Sequence, residues 1–292
     1  LIDNLFSENE INLTYSMYDR YIVGGIMPVS KDLKLETIPY LKSENFLDRR
    51  ELGIVNVGGK GTVTVDGEAF ELNKKEALYV GMGAKEVVFS SNEEIPALFY
   101  INSAPAHTHF PNKKVTKENA IVIQLGEEKT ANKRILNKLI VNEIVQTCQL
   151  QMGLTELLPG NVWNTMPAHT HNRRMEAYFY FDLEEGQTIS HFMGETQHTR
   201  HIFMQNNQAP IRLWDLAVRL TWEAGDAARL VGMPEDRLRE VNRIPPRMLV
   251  KAGSTLLVPR SAHTANDVAE HIADNAMMSL APDTPPLRRV SF

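Results

Sequence analysis

The chain has 292 residues, 43% of them hydrophobic, with 31 basic against 36 acidic side chains and a net charge of −5. That length supports one large domain or two ordinary ones with ample core, and the acidic balance leaves no cationic footprint for nucleic acid. No apolar run is long enough to span a bilayer and no charged-then-apolar signal segment opens the sequence, so no membrane role is expected.

In chain order, Tyr21-Ile-Val-Gly-Gly-Ile-Met-Pro is strand-like, with glycines that mark a bend or bulge. Gly53-Ile-Val-Asn-Val reads as a strand and Gly58–Gly61 as a hairpin turn, for it lacks the helix and lysine–hydroxyl pair of a phosphate cradle. Thr62-Val-Thr-Val alternates, Asp66-Gly67 is a hairpin signal, and Ala69-Phe-Glu-Leu returns. Ala77–Val80, Glu86–Phe89 and Ala97–Ile101 continue the series. Short strands at regular spacing with little helical period predict a sandwich or barrel over residues 1–110. Residues 111–133, with Pro111 and two charged stretches, read as a linker. His107 and His109, just before it, lack a following glutamate and read as a solvated loop.

Residues 134–211 repeat the β style, with Val145–Met152 alternating as a strand should and Thr188–Gly194 as another. Within them Met166–Phe181 reads M-P-A-H-T-H-N-R-R-M-E-A-Y-F-Y-F. On an extended strand His169 and His171 point to one face. After a short polar turn, a second strand puts Glu176, Tyr178 and Tyr180 on one face and Met175, Ala177, Phe179 and Phe181 on the other. If the two strands pair, His169, His171 and Glu176 converge, and two imidazoles with one carboxylate suit a divalent metal such as zinc. His191, His198 and His201 read as strand or loop residues. Cys148, the single cysteine, reads as a small apolar side chain within a strand and fits a cytoplasmic, reducing compartment. The chain begins with Leu1, which reads as a fragment lacking its native start.

The spacing H-x-H-x4-E resembles the first metal motif of the cupins. The longer string Gly160–Asp182 resembles the 5-keto-4-deoxyuronate isomerase family of pectin breakdown. Tyr21–Gly25, Asn56–Gly61, Asn102–Thr108, Thr147–Gly153 and His191–His201 match the same family. The resemblance runs over about residues 1–211. It implies an all-β fold of tandem cupin-like barrels, a bicupin, with the metal in the second half only; residues 212–292 depart from the family and read as an atypical helical tail. It also implies an aldose–ketose isomerisation that interconverts 5-keto-4-deoxyuronate and 3-deoxy-D-glycero-2,5-hexodiulosonate, a homohexamer, and one Zn2+ per chain held by His169, His171 and Glu176. Arg173 or Arg174 suits the carboxylate of a uronate substrate, because a guanidinium binds carboxylate bidentately, and Tyr178 and Tyr180 are candidates to line its pocket. The residue that moves the proton is not identified. In the family a fourth ligand, a histidine, lies beyond the end of the match; His263 is the nearest later histidine, in surroundings that do not resemble that motif.

Past residue 211 the composition turns from lysine to arginine, with one lysine and ten arginines in 212–292. Helices are expected over Leu213–Leu220, from Pro234 to Val241 and over Asn266–Leu280, and the proline-rich 283–289 reads as disordered. Residues 225–260 resemble the C-terminal part of lytic murein transglycosylases, where LysM-like modules occur. Two readings follow: a uronate isomerase, and a non-catalytic metal-binding cupin whose tail contacts glycan or protein. An iron-dependent cupin dioxygenase shares the H-x-H-x4-E spacing, but the long isomerase-like string argues against it.

Overall fold

The computed structural model describes residues 1–91, 94–164, 175–193, 200–213, 221–222, 234–242, 250–251, 256–259 and 278–281. It is mostly β. Its contacts divide the chain into two units: residues 1–169, 175–193 and 200–212, and residues 170–174, 194–199 and 213–292.

The first unit is built on a six-stranded sheet. Its strands are β1 (Glu10–Tyr15), β2 (Ile22–Met27), β4 (Arg50–Asn56), β7 (Ala77–Val80), β9 (Phe99–Pro105) and β10 (Lys113–Val115), in the order β1-β2-β9-β4-β7-β10. A four-stranded sheet faces it, formed by β3 (Leu33–Lys34), β5 (Gly61–Val65), β6 (Glu68–Leu72) and β8 (Val87–Ser91) in the order β3-β8-β5-β6. Ile22, Ile26, Leu52, Ile54, Leu78, Val80, Phe99 and Ile101 from the larger sheet meet Leu33, Val63, Val65, Leu72, Val87 and Phe89 from the smaller one. The opposite face of the larger sheet is also covered. Val23, Val55, Ala77, Tyr79 and Tyr100 pack there against Leu139, Ile140, Val145, Leu150, Met152 and Leu154. This double burial explains why β4 is buried at every position and lacks polar–apolar alternation.

The Asp66-Gly67 signal is a tight turn between β5 and β6, both residues left-handed at φ 48° and 88°. Gly58–Gly61 is not a hairpin turn. It is the corner where the chain passes from β4 in one sheet to β5 in the other. A Cβ on Gly59 would run into the Ile95 carbonyl, so this close approach, rather than a reversal, requires glycine.

Residues 111–133, read from the sequence as a linker, supply β10 to the six-stranded sheet and β11 (Ile121–Leu125) to a second body of strands. There β11, β12 (Arg134–Ile140) and β13 (Met152–Leu157) form an antiparallel sheet. The strand expected over Val145–Met152 begins only at Met152. The amides of Cys148, Gln149 and Leu150 donate instead to the buried carboxylate of Glu51, at 2.8, 2.9 and 2.7 Å. A side chain takes the place of a neighbouring strand. Two further pairs complete this part: β14 (Met175–Ala177) with β17 (Ile211–Leu213), and the hairpin of β15 (Ile189–Met193) with β16 (Arg200–Met204). Among the described residues every sheet is open, so the expected closed barrels are here facing and layered sheets.

In the second unit, Glu235–Asn242 is a helix that starts directly after Pro234, with Arg239 bridging Glu235 and Arg237 bridging Glu240, each at 2.7 Å. Leu213 and Met278–Leu280, expected in helices, lie in strands: Leu213 ends β17, and Met278–Ala281 pairs in parallel with Leu256–Pro259. A short apolar run carries no period that separates strand from helix, and a partner strand decides it. The rest of those two stretches, and 283–289, lie outside the described residues. No described helix is long and apolar enough to cross a membrane.

Candidate functional site

The alternation expected after Met175 is present, and each face has a separate partner. Phe179 stacks on Tyr100 of β9 with ring centroids 4.5 Å apart, and Phe181 stacks on Phe179 at 5.5 Å. Phe6 meets the edge of the same ring at 6.0 Å. These contacts press one face of the segment onto the apolar layer that covers the six-stranded sheet. The amides of Tyr178 and Tyr180 donate to the carbonyls of Pro210 and Gln208, which holds the segment extended beyond β14.

The opposite face carries the polar groups. Tyr178 Oη donates to Glu176 Oε2 at 3.1 Å. Tyr180 Oη lies 2.7 Å from Nδ1 of His191, which β15 brings in from the next hairpin. The rings of Tyr178 and Tyr180 lie 5.2 and 5.8 Å from the His191 imidazole. His191 is 5% exposed. From the sequence it reads as a strand or loop residue; it lies in a strand, and it also completes a Glu176–Tyr178–Tyr180–His191 group. Its alternation with the buried Met193 places it on an inward face, but which neighbours it meets there is set by pairing of distant strands. His201 lies on β16, exposed, with its ring against Phe192 at 4.8 Å.

His169, His171, Arg173, Arg174 and His198 lie outside the described residues, as does His263. Among the described residues no three His, Cys, Asp or Glu side chains come together as a metal-binding group. Glu176 is the described member of the expected ligand set, half-buried on its strand and bonded through Oε2 to a tyrosine. His107 and His109 are exposed in a loop, as expected, with His109 Nδ1 2.7 Å from the Met82 carbonyl. Cys148 lies in the loop around Glu51 rather than in a strand, with Sγ 3.4 Å from the Thr108 carbonyl.

Burial pushes the Tyr180 phenol up to about 12, with the neighbouring Tyr178 adding to the shift. Burial likewise raises Tyr21, Tyr79 and Tyr100 well above the ordinary tyrosine range. The folded state therefore holds these protons more tightly than the unfolded chain. The resulting stabilisation is complete below the ordinary value of about 10 and is lost as pH rises through the folded values, for Tyr180 between about 10 and about 12. Unfolding followed by circular dichroism from pH 9 to pH 12 should show stability falling above about pH 10, with phenolate absorbance rising in step. Phenolate appearing fully at pH 10 with the fold intact would contradict these burials.

The sequence matches the KduI/IolB family over residues 3–211. The chain belongs to that family. A 4-deoxy-L-threo-5-hexosulose-uronate ketol-isomerase of Formosa agariphila is 63% identical over 212 residues, which span 72% of this chain and 76% of the relative. Proteins of the same name from Bacteroides fragilis and Yersinia enterocolitica are each 55% identical over 72% of this chain, and over 75% and 77% of their own lengths. Among solved structures, an IolB-like protein from Salmonella typhimurium aligns with 65% of this chain and 73% of its own at 12% identity and a TM-score of 0.42. The KduI/IolB match contains the whole Glu176–His191 group and ends within β17.

Proposed function

We infer that the chain is a ketol-isomerase of a deoxy-hexosulose uronate, the activity for which its relatives are named. The observation that carries this reading is 63% identity across the segment that holds the H-x-H-x4-E string and its tyrosine face. The reading includes a bicupin architecture, divided at about residues 110, 133 and 211, a homohexameric assembly and a cytoplasmic location.

Moving a carbonyl to the neighbouring carbon needs a proton taken from one carbon and returned to the other, with a carrier held close to both. Two imidazoles and a carboxylate suit a divalent ion, and the tyrosine bonded to Glu176 is the kind of outer partner that orients a ligating carboxylate. His169, His171 and Glu176 would hold a Zn2+ ion, which when bound supplies Lewis-acid stabilisation of the charge that develops on the sugar oxygens. Tyr178 fixes the Glu176 carboxylate through its 3.1 Å bond. Tyr178 also stands beside the substrate in this reading, and Arg174, or Arg173 next to it, grips the substrate carboxylate. The Tyr180–His191 pair, 2.7 Å apart on the same face, is the described group able to hold a proton there.

A second reading is a non-catalytic metal-binding cupin with a glycan- or protein-contacting tail. It draws on the end of the family match at residue 211, before the expected fourth ligand. One experiment separates the two: metal content by mass spectrometry, with turnover of 5-keto-4-deoxyuronate, on this chain. Zinc with turnover supports the isomerase; zinc without turnover supports the second reading; neither removes both.

A further inference from the structure

Arg50 is a buried cation of the first unit with no counter-charge among the described residues. It lies at the start of β4 and is 4% exposed. Its Nε donates to Ser103 Oγ at 3.1 Å and an Nη donates to the Ser103 carbonyl at 2.7 Å. A guanidinium has five N–H donors, so Ser103 engages only part of the fork. No carboxylate among the described residues forms an ion pair with Arg50. Its neighbour Glu51 points to the other face of β4, where Tyr79 and three amides engage it. A buried charge with no counter-ion among the described residues is costly, and a bound anion would offset that cost.

The surroundings fit an anionic ligand with a ring. Arg50 pairs across the sheet with Pro105, two residues outward from the row in which Ser103 meets Leu52 and Ile22. It therefore sits at the rim of the two-sheet body. Arg20 lies at the same end, in the turn between β1 and β2, just past the row in which Tyr15 pairs with Ile22 and Ile22 with Ser103. Asp19 and Arg20 are consecutive non-glycine residues in the left-handed region, at φ 48° and 53°. Such a conformation is tolerated at a cost and gathers at binding sites. Tyr15 stacks on Tyr40 with centroids 5.2 Å apart and planes 12° from parallel, and Tyr40 remains 66% exposed.

We propose that this rim binds a sugar acid, with Arg50 and Arg20 gripping its carboxylate and the exposed Tyr40 ring stacking on the sugar. The forked guanidinium matches a carboxylate in plane, and an exposed aromatic face suits the apolar face of a pyranose. The site shares no group with the Glu176 face, so it stands or falls independently of the isomerase reading. Burial also pulls the Arg50 guanidinium down to about 10, the direction an uncompensated buried cation takes and a bound carboxylate would reverse.

The test is calorimetric titration of the full chain with D-galacturonate, D-galactose and inorganic phosphate. Galacturonate should bind the parent and the Glu176→Ala variant alike, and galactose should not bind. Loss of one charge-assisted contact should weaken galacturonate by about tenfold or more. Arg50→Gln tests the buried fork directly. Arg20→Asn, which keeps a residue tolerant of the left-handed turn, and Tyr40→Ala are both at exposed positions and test the site should Arg50→Gln fail to fold. Weakening in Arg20→Asn and Tyr40→Ala supports the site. Binding lost in Glu176→Ala, binding unchanged in both exposed variants, phosphate binding as tightly as galacturonate, or no binding at all would each overturn it.

Discussion

Replacing Glu51 by alanine should destabilise the first unit by about 4 kcal/mol or more, among the largest effects of a single change in this chain. The carboxylate is fully buried and accepts four bonds, from Tyr79 Oη at 2.9 Å and from the amides of Cys148, Gln149 and Leu150. Alanine would leave four donors in a dry layer, each costing about 1–3 kcal/mol when unsatisfied. It would also release the 148–150 loop, whose Leu150 packs under the six-stranded sheet. Glu51→Gln keeps the shape and one acceptor but turns an NH2 group toward donors, and should fall between. Urea unfolding of the three proteins measures this; a Glu51→Ala loss below about 1 kcal/mol would mean that water or rearrangement satisfies those amides.

The second large effect concerns function. In the His169→Ala, Glu176→Ala double variant, bound zinc should fall from about one per chain to none, because a single remaining imidazole cannot hold it. Turnover should drop by about a thousandfold or more, the equivalent of several kcal/mol of Lewis-acid stabilisation. Tyr178→Phe provides a graded companion. It removes the hydrogen bond to Glu176 while keeping the ring, and should weaken metal binding by about 10–100-fold. Zinc retained at full content in the double variant would show that other residues form the centre.

How legible the molecule was depends on what each residue's neighbours are. The strands of residues 1–110 were readable because turn signals such as Asp66-Gly67 and alternation such as Thr62–Val65 are local properties. The two faces of 175–181 were readable for the same reason, since period two places Glu176, Tyr178 and Tyr180 together wherever the strand packs. Val145–Met152 alternates just as well, yet its amides bind a carboxylate almost a hundred residues away, and no periodicity reports that. Gly58–Gly61 looked like a reversal because glycine marks both turns and close approaches. Met278–Leu280 looked helical because a short apolar run has no period of its own.

By itself, the sequence determined the β character of the first 211 residues, the family through its H-x-H-x4-E string and flanking motifs, and the polar face of the strand after Met175. These follow from local backbone preference and side-chain order. The tertiary structure decided that the six-stranded sheet is buried on both faces and that Glu51 organises the loop before β13. It also decided that His191 joins Tyr180, and that Arg50 lies buried at the rim with no carboxylate paired to it among the described residues. Each of these is a meeting of residues far apart in the chain, fixed by which strands pair and which faces pack.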